Sequence, residues 1–234
     1  MKSHILNHLN VLREDVFEIT TKWPQFELLL DDLILLSENE KIKTVCGLER
    51  TLLYGGYSLI APLFEANSKS FFSIDCSPRS AEERGNYCEE RVLSKNFIKK
   101  KMDIRRDIEN LNIDTKFDLI VIPNLMHHVF NQDNIIKSSY KLLNPKGKLY
   151  IFEPIIRELH QIPNDYLRWT PFGLNKIVES NNFRLISQKE TGNPFEALKY
   201  CWYQAVEYLN YDDRKKVTNW LEKEQFPFLD ELNN

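Results

Sequence analysis

Three histidines stand where a proton could be taken from a bound molecule. His127 and His128 follow an apolar run, Phe117–Ile122, and His160 lies in EPIIRELHQIPNDYLRW with Glu153, Glu158, Asp165 and Arg168 close by in sequence. Neutral imidazole has a pKa near working pH, which suits a general base. Two adjacent residues on a loop or helix start cannot easily both point into one cleft, so one of the pair is expected to be structural. Around His160, a surface loop held by an arginine–carboxylate pair is the plain alternative to a catalytic loop. Asp75 is a candidate of another kind. It ends SFFSID, a run that reads as a buried strand, and a doubly wound nucleotide-binding sheet places there the carboxylate that accepts hydrogen bonds from ribose hydroxyls.

These residues need elements to hold them. FDLIVIPNLMHHVFNQDNIIKSSYKLLNPKGKLYIFEP, residues 117–154, spells strand, loop, helix, turn and strand in unbroken order. Phe117–Ile122 has the length and β-branched content of a parallel strand buried on both faces. Asp133 is positioned to cap the following helix, with Ile136, Tyr140 and Leu143 on one face, and Asn144, Pro145 and Gly147 stop it. Farther on, Thr170 is a cap, Pro171 the first helical residue, Leu174, Ile177 and Val178 a sheet-facing stripe, and Phe183 the start of another strand.

This order, and LLNPKGKLYIFEP above all, resembles the class I S-adenosylmethionine-dependent methyltransferases over roughly Lys41 to Ser187. The resemblance implies a Rossmann-like α/β fold with a doubly wound, mostly parallel sheet. It implies S-adenosylmethionine as cofactor, S-adenosylhomocysteine as product, and transfer to an oxygen or nitrogen of a small polar acceptor. By the same resemblance Asp75, with Cys76 beside it, holds the ribose, Asp103 and Ile104 meet the adenine, and Pro123 and Asn124 end the fourth strand at the cofactor. Acceptor contacts are expected from Tyr166 and Arg168 and from the aromatic wall of Tyr200, Trp202 or Tyr203.

The glycine loop departs from the family pattern. An acidic residue at the first strand's end should precede a G-x-G-x-G turn, whereas Ile42–Gly47 is followed by LERTLLYGGYSLIAPLF. Cys46 or a neighbour then occupies the carboxylate position, and Gly47, Gly55 and Gly56 remain for close backbone approach to a ligand. Either the lengthened loop still cradles the cofactor, with Glu49 replacing the acid, or the site has decayed into a binding or assembly subunit. A nicotinamide-dependent oxidoreductase is disfavoured because no G-x-G-x-x-G follows the first strand.

Composition sets outer bounds. The chain has 234 residues, 42% of them hydrophobic, enough for one α/β domain with added helices. Its net charge of −3 speaks against a nucleic-acid partner, with Lys99, Lys100, Lys101, Arg105 and Arg106 read as solvated surface. Cys46, Cys76, Cys88 and Cys201 lack metal or redox spacing, so reduced thiols in a cytoplasmic protein, with no metal, are expected. No signal-peptide pattern or membrane-length run is present, so no membrane partner is expected. The organisation reads as an N-terminal helical extension (1–38), a methyltransferase-like domain (39–190) and a C-terminal helical extension (191–234). Pro194–Tyr211 reads as one helix, apolar around most of its circumference, that packs in the core, closes over the acceptor or forms a homodimer interface.

Overall fold

A computed structural model describes residues 25–49, 60–75, 104–105, 113–159 and 163–233. The elements run α1 (Gln25–Glu38), β1 (Thr44–Glu49), α2 (Ile60–Ala66), β2 (Ser70–Asp75), β3 (Ile104–Arg105), β4 (Phe117–Pro123), α3 (Gln132–Leu142), β5 (Leu143–Phe152), α4 (Pro171–Ser180), α5 (Pro194–Val206), α6 (Tyr211–Trp220) and α7 (Phe226–Asn233). The strands form a five-stranded sheet in the order β3-β2-β1-β4-β5, and each described pair is parallel. Strand order reverses between β1 and β4, which creates a crevice at the carboxyl ends of the strands.

Alternation along the strands builds two apolar layers. Leu29 and Leu33 of α1 and Leu63 and Phe64 of α2 pack on Val45, Phe71, Leu119 and Val121. On the other face, Ile135, Ile136 and Leu142 of α3 cover Cys46, Leu48, Ile74, Ile120 and Ile122. The register shifts between Phe117 and Leu119, which brings Phe117 to the α3 side even though it precedes β4's strict alternation. Burying such strands on both faces needs the continuous apolar runs seen in the sequence.

Several local expectations need correction. Asn131, not Asp133, caps α3, accepting the N–H of Asn134, while Asp133 pairs with Lys137 and accepts from Asn181 at 2.8 Å. The buried stripe of α3 is Ile135, Ile136, Ser139 and Leu142. Tyr140 is half exposed and meets Phe183 edge-on, and Leu143 already belongs to β5. Residues 144–147 bulge where the β4–β5 register jumps from Phe117 beside Leu143 to Leu119 beside Lys148, and a Cβ on Gly147 would stand 2.9 Å from the Asn144 carbonyl.

Thr170 and Pro171 start α4 as expected, the Thr170 hydroxyl accepting the Gly173 N–H. No strand begins at Phe183. Side-chain ties from Gln188 to Asn175 and from Lys189 to Asp32 hold that largely exposed segment in place of ladder bonds. The helix expected over Pro194–Tyr211 stops at Val206, and a second helix starts at Tyr211. Asn210 caps α6 by accepting from Asp213 at 3.0 Å, and the Arg214 guanidinium donates to the carbonyls of Val206, Glu207 and Leu209 that close α5. Only Tyr200 and Val206 of α5 are buried, and Val206, Leu221 and Phe226 form a small core of their own. Among the described residues no helix is long and apolar enough to cross a membrane.

Candidate active site

The crevice residues begin with β1, which runs beyond the predicted end. Gly47 is buried inside the strand between Ser73 and Val121 and is not part of a turn. Cys46 is likewise mid-strand and buried. The strand ends at Glu49, directly beside Asp75 at the end of β2. An acidic residue therefore does close the first strand, and the expected carboxylate position belongs to Glu49. Ile104 lies in β3, paired with Ile74. Gly55, Gly56, Cys76, Asp103 and His160 lie outside the described residues.

At the end of β4, Pro123 is buried and Asn124 takes a left-handed φ of 54°, its N–H donating to the Phe152 carbonyl at 2.6 Å. That turn throws Leu125 to His128 across the end of β5, where Met126–His128 make one 3-10 turn. Glu153, the residue after β5, receives the turn. Its carboxylate accepts the N–H groups of Leu125 and Met126 at 2.6 Å each and of His127 at 3.4 Å. The same carboxylate meets Nδ1 of His127 at 2.7 Å, with both side chains almost wholly buried. Burial pushes the Glu153 carboxyl up to about 8, against the opposing pull of the Met126, Leu125 and His127 amides and the Arg168 charge. Glu153 was visible in the sequence only as a neighbour of His160. Its position as the acid closing strand five, beside the loop after strand four, is the signal that identifies it.

His128 is half-buried, and its Nδ1 lies 2.5 Å from the Asn164 carbonyl oxygen. A carbonyl only accepts, so Nδ1 carries the proton and neutral His128 keeps its lone pair on Nε2. The two rings touch, with centroids 3.9 Å apart, and the Tyr166 N–H donates to the His127 carbonyl at 2.9 Å. Arg168 grips both oxygens of Asp165 at 2.6 and 2.8 Å and donates to the carbonyls of Leu167 and Glu158. Its bonds pin the loop, as the plain reading of this segment expected. Tyr200 reaches the same loop, its hydroxyl donating to Glu158 at 2.9 Å, whereas Trp202 packs edge-on against Trp220 of α6.

One potential ligand atom from each of His127, His128 and Asp165 falls within 4.8 Å of the others. Two imidazoles on one tetrahedral ion, with metal–nitrogen bonds of about 2.0–2.1 Å, would hold their ring centres roughly 5 Å apart. The observed 3.9 Å and the Arg168 fork on Asp165 fit a packed hydrogen-bonded cluster better than a metal centre.

A family model described as "Methyltransferase domain" matches residues 54–225. A putative methyltransferase from Bacillus halodurans superposes with a TM-score of 0.55 at 14% identity, covering 83% of this chain and 84% of that one. The O-methyltransferase of a trans-AT polyketide synthase multienzyme of Brevibacillus brevis, solved with S-adenosyl-L-homocysteine, superposes with a TM-score of 0.53 at 12% identity, over 94% of this chain and 74% of that one. The curated "Probable polyketide synthase 10" of Dictyostelium discoideum is 26% identical over 88 residues, which span 37% of this chain and 4% of that protein. The matched domain and the parallel sheet with its switch point agree, and the chain belongs to the methyltransferase-domain family with the class I Rossmann-like fold.

Proposed function

We propose that the protein transfers the methyl group of S-adenosylmethionine to an acceptor oxygen that must give up a proton, with S-adenosylhomocysteine as product. The observation that carries this reading is the turn after β4, where His128 is held in one tautomer by the Asn164 carbonyl and His127 Nδ1 is held by the buried Glu153 carboxyl. A base so prepared has work to do for a hydroxyl. A nitrogen acceptor with a free lone pair would need little beyond positioning.

Glu49 and Asp75 end the adjacent strands β1 and β2, β1 being one wall of the switch point, a placement that fits the amino-acid and ribose parts of the cofactor, and Gly55, Gly56, Cys76 and Asp103 are further expected contacts. When bound, S-adenosylmethionine supplies an electrophilic methyl on a sulfonium. The protein's residues align the acceptor, exclude water and take its proton. His128 is the first choice of base because its ring is partly accessible, and His127, wholly buried and held at Nδ1 by the Glu153 carboxyl, is the second. The acceptor is a small molecule in this reading, and the compartment is cytoplasmic.

Titration calorimetry with S-adenosylmethionine and S-adenosylhomocysteine tests the cofactor, and no heat from folded protein would favour a non-catalytic subunit of the same fold. With binding established, His128→Ala is expected to lower turnover by about 10²–10⁴-fold at unchanged cofactor affinity. A comparable loss in His127→Ala alone would move the base to that ring. Wild-type rates in both variants would remove the base, and with it the argument for oxygen.

A further inference from the structure

We infer that the acceptor carries an extended apolar body that lies on the loops after β4 and β5 while its reactive group reaches the histidine turn, an inference that rests on the methyl-transfer reading above. The polarity of these loops is inverted. Among the described residues of 153–168, the charged side chains are turned inward: Glu153, Asp165, Arg157, Glu158 and Arg168 are only 3–23% exposed. They bond to one another and to loop carbonyls. Four apolar side chains of the same loop, Ile155, Ile156, Leu159 and Tyr166, turn outward and are between 43% and 63% exposed, while Leu167 is half-buried.

Scattered apolar residues on a surface need no explanation, but a loop that buries its charges and presents its isoleucines is an arrangement that invites an apolar partner. Its place identifies the occupant. Phe130, 75% exposed in the loop after β4, meets Tyr166 edge-on, and the Tyr166 hydroxyl donates to the side-chain oxygen of Asn164, whose backbone carbonyl holds the half-buried His128. The outward surface is thus continuous with the proposed base, at the carboxyl ends of the strands where the fold takes its ligands. A polar acceptor, as the sequence pattern implied, would leave this surface wet, whereas an alkyl or aryl body gains affinity with every methylene it covers.

The probes are 4-methylphenol and 4-octylphenol, which share the hydroxyl and differ in apolar length. Binding to the full chain loaded with S-adenosylhomocysteine is measured by calorimetry. Each fully buried methylene contributes about 0.8 kcal/mol, close to fourfold, so even partial coverage should make the octyl compound at least about tenfold tighter. The double variant Ile155→Ser, Leu159→Ser, and separately Phe130→Ser, should each cut that preference by about threefold or more with S-adenosylhomocysteine affinity unchanged. All three side chains are exposed, so the variants should fold. Equal binding of the two phenols, or a preference that survives both variants, overturns the inference. So does a dimer in sedimentation that the double variant dissociates, since a second copy would then cover the surface. If S-adenosylhomocysteine fails to bind, the methyl-transfer reading falls, and the phenol comparison on the unliganded chain still reports on the surface.

Discussion

Asp118 and Glu153 sit at opposite ends of the same strand pair and do the same job in different surroundings. Asp118, at the start of β4, accepts the N–H groups of Lys43 and Thr44 at 2.9 and 3.0 Å and the Asn144 amide at 2.8 Å, tying the starts of β1, β4 and β5 together. Glu153, just past β5, gathers the three amides that follow β4. Asp118 keeps contact with water. Desolvation opposes its charge, but the bonds from Asn144, Lys43 and Thr44 outweigh it and hold its carboxyl below the usual range. Glu153 is buried and its carboxyl is pushed up to about 8. One carboxylate stabilises the fold as an anion. The other is an anion only at a cost, at the end of the sheet where the ligand is expected, which is where strain is tolerated for function.

Deleting each carboxylate separates the two ends most strongly. Glu153→Ala leaves buried N–H groups without an acceptor, and each such group costs about 1–3 kcal/mol. A loss of roughly 3 kcal/mol is expected, with no gain from relieving a buried charge, since at neutral pH the raised pKa keeps the Glu153 carboxyl largely protonated. Asp118→Ala should cost less, about 1–2 kcal/mol, because water can replace part of what is lost. Urea unfolding of the two variants at neutral pH measures both. An equal or reversed order would mean that burial does not distinguish the two ends.

The pH dependence should have opposite signs. Glu153 has a folded pKa of about 8 against an ordinary value of 4.5, so between those limits the folded state holds a proton the unfolded state has released. Its contribution to stability therefore falls as pH rises through that window and levels off above it. The folded pKa of Asp118 is depressed from 3.8, so its contribution is complete above that value and disappears as pH falls through the folded pKa. Subtracting the unfolding curves of Glu153→Gln and Asp118→Asn from wild type should show a descending limb in the first case and an acid-side loss in the second. A flat difference for Glu153→Gln would show that its amide bonds cancel the burial cost.

The two ends are unequally legible in the sequence. Strand ends were legible where composition changes sharply: Asp75 closes SFFSID and Pro123 closes β4 as expected. Gly47 was misplaced because an apolar run does not reveal how far a strand continues, and pairing with Ser73 and Val121 carries β1 to Glu49. The clamping roles of Glu153 and Asp118 are not legible, since many of their partners are backbone amides distant in sequence that carry no residue signature. The same limit applies to the end of α5, which Arg214 closes at Val206 by reaching back to three carbonyls. His127 and His128 stand on the turn after β4, one buried and the other half-buried.

The smallest effect comes from the quiet end of the sheet. The Thr44 hydroxyl donates to Asp118 Oδ2 and accepts the Asp118 N–H, both at 3.2 Å. Thr44→Val keeps the branched shape and the strand preference while removing this exchange, so the change isolates hydrogen bonding from packing. At neutral pH it should cost about 1 kcal/mol. At a pH low enough to protonate Asp118 the loss should shrink, because the bond to the anion is the stronger of the two. Turnover and cofactor affinity should not change, since Thr44 starts β1 and the proposed site lies beyond its other end. Measuring urea midpoints at both pH values, with kcat alongside, tests the assignment of the two ends together. A fall in kcat at unchanged stability would mean that the amino-terminal clamp also controls the site, and the division of labour between Asp118 and Glu153 would fail.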